Sequence, residues 1–391
     1  MNIDRLIQSF SSVFNEKDDL NIYFAPGRVN LIGEHIDYNG GHVFPCALSV
    51  GTALVCRKRN DRKLRMYSCN VKRAEVVEAS LDDVKKDDEH SWVNYPLGVV
   101  KTLQNHGYEI PYGFDMLFFG NISGSGLSSS ASLEVVTCYM IVSELQLGLS
   151  NTLIAIYCKE AENKFNGLNC GIMDQFACAN GKREQAMYLD CATLDNKYVK
   201  VNIDPYQIVV INSQVKHSLT SSHYNERLEE CQKALKIIQE HIKVENLCSL
   251  SVQQFESLQQ HIEDPTIRKR AKFAVEEEDR VKRAIDALNR KDVSSFAEMI
   301  NLSGDGLRYD YDATCPEIDI LVEACRSYEH CIASRETGGG WGGNVIALVR
   351  KDKIEEFKAH VDKIYIEKTS LHPTYLNLII GQGVHKVKYV G

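Results

Sequence analysis

The chain has 391 residues, 44% apolar and 25% charged, which is enough for a sizeable buried core and leads us to expect two domains. Nothing in the composition suggests disorder. The formal charge of −8 excludes a basic footprint for nucleic acid or an anionic membrane, while a local site for an anionic small ligand stays compatible with it.

The N-terminus, MNIDRLIQSFSSVF, places Ile3, Leu6, Ile7, Phe10, Val13 and Phe14 on one helical face. Its early acidic residue and broken apolar pattern do not fit a signal peptide. NIYFAPG, GTALVCRK, LRMYSC and FDMLFFG read as strands. Within this region, APGRVNLIGEHIDYNGG (25–41) crowds Arg28, Glu34, His35 and Asp37 into ten residues, ending in a tight turn over Tyr38–Gly41. Taken singly, each is explained by a charged turn. Taken together, two carboxylates and an imidazole supply the donors and acceptors that several adjacent hydroxyls of a sugar require.

GNISGSGLSSSASLEV (120–135) brings glycines and serines to the start of an apolar helix. Glycine lets the backbone turn sharply and a ligand approach closely. The first N–H groups of a helix lack intrahelical partners and attract anions, and serine hydroxyls add donors or ligate a hard cation such as Mg²⁺. A plain N-cap explains one of these serines; three serines with two glycines favour phosphate. The chain has no G-x-x-x-x-G-K-[ST], so any nucleotide is held by another design. Leu153 to Phe165 reads as a helix, N-capped by Ser150 or Asn151 and ended by Gly167. In NGLNCGIMDQFACANGK, Asp174 has the apolar neighbours Ile172, Met173 and Phe176. Desolvation there raises a carboxylate's basicity unless a cation such as Arg28 offsets it; an Asx turn is the bland alternative.

Helices are expected from Asn225 to Ile242 and from Pro265 to Asn289, with charge runs read as solvated faces. In TGGGWGGN, Gly338, Gly340 and Gly343 fit G-x-G-x-x-G, but the strand-like NVIALV follows where a dinucleotide site needs a helix. A loop allowing close backbone approach is the better reading. IEEFKAHVDKIY then reads as a helix. The mixture points to an α+β fold, with a boundary near residues 200–210. The thirteen cysteines form no C-x-x-C pair and sit mostly in apolar context, which favours a reducing cytoplasm over a disulfide framework or metal cluster. No run approaches the roughly 18 apolar residues of a membrane span.

These motifs together resemble those of the galactokinases of the GHMP small-molecule kinase superfamily. GRVNLIGEHIDYNGG is similar to the galactokinase signature almost throughout. GLSSSAS resembles the superfamily's phosphate loop, NCGIMDQF its catalytic segment and TGGGWGGN its C-terminal glycine motif. HYNERLEEC (223–231) and YDATCPEIDILV (311–322) extend the likeness to nearly the whole chain. The resemblance implies a two-domain α+β GHMP kinase fold. An N-terminal domain (1–205) would carry the sugar signature and phosphate loop, a C-terminal ferredoxin-like domain (206–391) would follow, and the site would lie between them. It implies ATP- and Mg²⁺-dependent phosphorylation of the anomeric hydroxyl of galactose, the first committed step of galactose catabolism, in the cytoplasm. No protein partner is implied. On matching positions, Asp174 would take the proton from that hydroxyl and Arg28 would keep the carboxylate ionised and stabilise the transferring group. Glu34, His35, Asp37, Gly171 and Tyr224 would hold the sugar. Gly124, Ser125, Gly126, Leu127, Ser128, Ser129 and Ser130 would wrap the ATP phosphates, and Ser130 with Glu162 would hold Mg²⁺. Ser68, Trp92 and Tyr95 match positions near the nucleotide base.

The chain departs from the family pattern at two loops and in the segment SGDGLRYDYD, where the family usually carries histidine and serine. The phosphate loop is one residue short, lacks a proline and carries Ser125 for alanine. Gly339, Trp341 and Asn344 replace alanine, phenylalanine and cysteine in the glycine motif. No proposed catalytic group is lost. A kinase of another sugar, such as N-acetylgalactosamine or a pentose, and a non-catalytic sugar-sensing paralogue stand as alternatives.

Overall fold

Alternation along the strand Pro45–Lys58 organises the first half of the molecule, since successive side chains of a strand point to opposite faces. Ala53 and Val55 pack under the helix Ile3–Phe14, against Leu6, Phe10 and Phe14, while Leu54 and Cys56 enter the main core. The protein is described by a computed structural model covering residues 2–122, 126–215 and 220–389. The four strands read from the sequence, joined by Val77–Ser80 and His385–Lys386, form a six-stranded sheet in the order His385–Lys386, Asn21–Asn30, Pro45–Lys58, Phe114–Gly120, Lys63–Ser68 and Val77–Ser80. Lys63–Ser68 runs parallel to Phe114–Gly120 and the other pairings are antiparallel. The second face is covered by helices, among them Ser129–Glu144, which packs on Asn21–Asn30 and Pro45–Lys58, and Met173–Asn180 beside it.

The helix read over 153–165 starts as expected, with the Ser150 hydroxyl accepting from the Leu153 amide. It stays α-helical only over Asn151–Glu160. Ala161–Asn166 widens into a π-helical turn that ends at Gly167 in the left-handed region (φ 85°). Such a turn re-aims side chains, and here Glu162 is directed inward and buried.

The second sheet has the order Cys331–Thr337, Asn344–Arg350, Tyr206–Asn212, Thr374–Asn377, with every neighbouring pair antiparallel. With the helices Pro316–Arg326 and Ile354–Thr369 against it, this is the ferredoxin-like βαββαβ arrangement. Its strands are apolar on both faces because they serve two cores. Val209, Ile211, Val345 and Ala347 meet those two helices, whereas Ile208, Val210, Ile346 and Leu348 join the main core. The chain then returns: Tyr23 and Phe24 pair with Lys386 and His385, so the last strand closes an edge of the first sheet.

The charge run of the helix Pro265–Asn289 is not a solvated face throughout. Arg270, Glu277, Glu278 and Arg280 are buried. Glu277 accepts from the Gly33 amide and the Ser303 hydroxyl, and Glu278 accepts from the His42 amide and faces its ring at 2.8 Å. Their partners lie more than 230 residues away for Gly33 and His42, beyond the reach of a local pattern. This helix is the scaffold beneath the 25–41 segment.

Candidate active site

Arg28 and Asp174 meet side by side, Arg28 buried and the Asp174 side chain 31% exposed. The strand Asn21–Asn30 shifts register between Pro26 and Arg28, and such an irregularity bends a strand and re-aims its side chains. Arg28 Nε and Nη2 donate to Asp174 Oδ1 and Oδ2 at 2.8 and 2.9 Å, and Nη1 donates to the Gly126 carbonyl at 2.9 Å. One guanidinium thus ties the strand to the serine-rich turn and to the first turn of Met173–Asn180. Burial disfavours its charge, but the carboxylates of Asp174 and Glu34 outweigh that and raise its pKa on balance. Ser128, in the left-handed region (φ 58°) ahead of the helix Ser129–Glu144, donates to Asp174 Oδ2 at 2.6 Å.

The 25–41 segment closes one side. Asp37 opens a 3₁₀ turn ending at Gly40, and a Cβ on Gly171 would overlap its carboxylate, so any side chain there would displace Asp37. Burial, then the negative charge of Asp174, pushes Asp37 up to about 6. His35 is buried in the left-handed region (φ 62°), its ring 5.3 Å from that of Tyr224. Burial, then Arg227 and Arg335, lowers it to about 3, so it is neutral at physiological pH. Glu34 Oε1 accepts from Arg335 Nη2, Thr337 Oγ1 and the Gly338 amide, each at 3.0 Å, and Oε2 accepts from Asn30 Nδ2 at 2.8 Å. Glu34 therefore joins the 25–41 segment to the start of the glycine turn.

On the other side, the π-helical turn brings Glu162 beside Ser130, whose hydroxyl bonds it. Gln175 Nε2 donates to Glu162 Oε2 and, at 3.2 Å, to Glu134 Oε2. Burial and then Asp174 raise Glu162 to about 7; burial and then Glu162 raise Glu134 well above the usual carboxylate range. The charge of Asp174 raises Asp37, Glu134 and Glu162, and of these four carboxylates Arg28 bonds that of Asp174. The four are a set of hard oxygen donors short of positive charge.

A cavity of about 370 Å³ gathers most of the residues singled out from sequence: Arg28, Glu34, His35, Asp37, Gly126, Ser128, Ser129, Ser130, Glu162, Gly171, Asp174 and Tyr224. Glycines 338–340 and 342 form another wall. The turn therefore follows a strand and precedes a strand, as its sequel indicates. Ser68 and Trp92 line an adjoining cavity of about 300 Å³, and Tyr95, Ser129 and Ser130 border both. Leu127 is buried, its carbonyl accepting from the Arg28 amide at 3.2 Å. Gly124 and Ser125 lie outside the described residues. Sequence reasoning overlooked Glu134, Gln175, Arg335, Tyr38 and Tyr311 as site components. Two of these had a signal: Gln175 follows Asp174, and Glu134 lies one helical turn beyond Ser130, on the same face.

This fold, with a helix N-terminus, a carboxylate–guanidinium pair and a glycine turn converging on one cleft, defines a GHMP kinase. Family models described as the GHMP kinases N terminal domain and the GHMP kinases C terminal match residues 94–182 and 284–367, and a galactokinase galactose-binding signature matches 8–58. The chain is 43% identical over 386 residues to a galactokinase of Clostridium acetobutylicum, covering 98% of this chain and 99% of that one. Against a galactokinase of Bacillus subtilis it is 42% identical over 380 residues, covering 97% of each. The crystal structure of Lactococcus lactis galactokinase complexed with galactose superposes with a TM-score of 0.96 at 38% identity, covering 98% of this chain and 100% of that one. A mevalonate kinase structure, at 16% identity and a TM-score of 0.65, shares the fold alone. The chain belongs to the galactokinase family.

Proposed function

We propose that the protein transfers the γ-phosphoryl group of ATP to the anomeric hydroxyl of galactose, giving galactose 1-phosphate and ADP. The observation that carries this reading is the two-point Arg28–Asp174 pair, set between the 25–41 segment and the start of the helix Ser129–Glu144. A sugar seated against Asp37, His35, Glu34, Gly171 and Tyr224 directs its anomeric hydroxyl at Asp174, which accepts the proton. Ser128 and Arg28 hold that carboxylate in place, and Arg28 adds positive charge where the phosphoryl group passes. Phosphoryl transfer needs mainly positioning and charge neutralisation, which suits a site built from a helix N-terminus, a guanidinium and acidic side chains.

The triphosphate lies along the serine-rich turn at the helix N-terminus, where unpaired N–H groups favour anions. Its base occupies the adjoining cavity beside Trp92 and Ser68. Glu162 and Ser130 fit Mg²⁺, which takes one or two protein oxygens and completes its shell with water and phosphate. Held by these residues, the cation would supply positive charge to offset that of the phosphates. Glu162, raised to about 7 first by burial and then by Asp174, supports that assignment, since a divalent ion would favour its charged form. Galactose is distinguished from its epimers by paired contacts. Each hydroxyl that an epimer turns away leaves a buried partner unsatisfied, at about 1–3 kcal/mol.

The test is turnover of galactose, N-acetylgalactosamine, glucose and arabinose with ATP and Mg²⁺, following ADP release. Galactose is expected to be the preferred substrate. Turnover of another sugar with none of galactose overturns the substrate assignment, and binding without turnover of any sugar overturns the kinase reading.

A further inference from the structure

His35 is held more firmly than a sugar contact on a loop requires. The Asn39 side chain donates to its backbone carbonyl at 2.9 Å, and the rings of Tyr224, Tyr311 and Trp341 lie 5.0–5.9 Å from the imidazole. Its Nδ1 meets the Tyr38 hydroxyl at 2.9 Å. That hydroxyl meets the Tyr311 hydroxyl at 2.7 Å, which in turn lies 3.3 Å from the Cys231 thiol. His35 Nε2 is buried and has no hydrogen-bond partner among the described residues, while the residue lines the main cavity. A buried polar atom left unpaired costs about 1–3 kcal/mol, a cost that a ligand group bonded to this nitrogen would remove.

We propose that the hydroxyl chain from Tyr38 through Tyr311 to Cys231 holds His35 as its Nε2–H tautomer, so that the residue offers the sugar a hydrogen-bond donor. The inference rests on the sugar-site reading above. A neutral imidazole carries one proton, and the hydrogen bond at one nitrogen decides where it sits. A phenol hydroxyl is a stronger donor than a neutral imidazole N–H, and an imidazole nitrogen is a stronger acceptor than a phenol oxygen. Tyr38 therefore donates to Nδ1, Tyr311 to Tyr38 and the Cys231 thiol to Tyr311, so each hydroxyl both donates and accepts. The proton is left on Nε2. The surroundings agree: Asp37 and Asp174 are acceptors, and a hydroxyl donating to either one needs a donor for its own oxygen. Tyr38 and Tyr311 are positioning residues, acting through His35. Tyr311 lies in the C-terminal half of the chain, so the donor pattern of the 25–41 segment is set from there.

The test uses the full chain labelled with ¹⁵N-histidine, without sugar, in long-range ¹H–¹⁵N correlation spectra, with His35 assigned by its loss in His35→Asn. The expected spectrum shows a protonated Nε2 and a bare Nδ1. In Tyr38→Phe both tautomers are expected, with the galactose KM raised about tenfold, the loss of one hydrogen bond, and kcat changed less than twofold. Tyr311→Phe shifts both in the same direction by less. A protonated Nδ1 in the parent protein overturns the proposal. So do unchanged tautomers in both variants, or a fall in kcat at constant KM. If Tyr38→Phe does not fold, the parent spectrum and Tyr311→Phe decide. Absence of galactose turnover in the parent overturns the functional reading alone, and the sugar-free spectrum still judges the tautomer.

Discussion

Replacing Asp174 by Asn removes one charge and one acceptor at the point where three parts of the structure meet. The carboxylate accepts from Arg28 Nε, Arg28 Nη2 and Ser128 Oγ. An asparagine fits by turning Oδ1 toward Arg28 and Nδ2 toward Ser128, whose hydroxyl rotates to accept. One charge-assisted bond to Arg28 is lost, about 1.5–3 kcal/mol. Against this, the negative charge that raises both Asp37 and Glu162 is gone, which relieves repulsion. The variant is therefore expected to fold, with a melting temperature within a few degrees of the parent. Its galactose affinity by titration calorimetry should lie within about threefold. The rate behaves differently, because an amide cannot take the proton. A positioned general base supplies about 10²–10⁴ in rate, so kcat from ADP release should fall about a thousandfold, roughly 4 kcal/mol of barrier. A kcat within tenfold of the parent would remove Asp174 from its assigned role, and a large loss of galactose affinity would show that it holds the sugar instead.

Asp37, raised to about 6 in the folded protein from 3.8, retains its proton between those values while the unfolded chain loses it, so its contribution to stability falls as pH rises from about 4 to 6. Sugar binding runs the other way: the galactose KM should rise as pH drops through about 6, and Asp37→Asn should flatten that limb of the profile. Glu34→Gln turns an N–H₂ toward donors already bound to the carboxylate, in a pair with Arg335 whose side chains are 1% and 0% exposed. Breaking such a pair costs about 3–5 kcal/mol. With an unfolding entropy of roughly 0.8 kcal/mol/K for 391 residues, calorimetry should show a melting temperature lower by about 4–6 °C. Glu162→Gln should weaken Mn²⁺ binding in the presence of ATP, read by electron paramagnetic resonance, by tenfold or more, and unchanged affinity would move the metal elsewhere.

Where a feature depends on neighbours in the chain, the residues foretold it closely. The helix Pro265–Asn289 follows from Asp264 as N-cap and proline at its first turn. Arg28, Asp37 and Asp174 stood out because charged groups sit among glycines and apolar residues. The inward aim of Glu162 was hidden, since nothing local marks where an α-helix widens into a π turn. Arg335, which holds Glu34 from about 300 residues away, gave no signal inside ordinary strand sequence.

Sequence alone determined part of the parts list: four strands of the first sheet, the helix Pro265–Asn289, and the glycine, serine and charged segments that gather at one cavity. Those properties follow from local periodicity, capping and backbone freedom. Only the tertiary structure decided which charges are buried, what partners they have and which hydroxyl faces the His35 ring. Burial and pairing depend on side chains brought together from opposite ends of the chain, and the energy of a charge or a tautomer is set by that company.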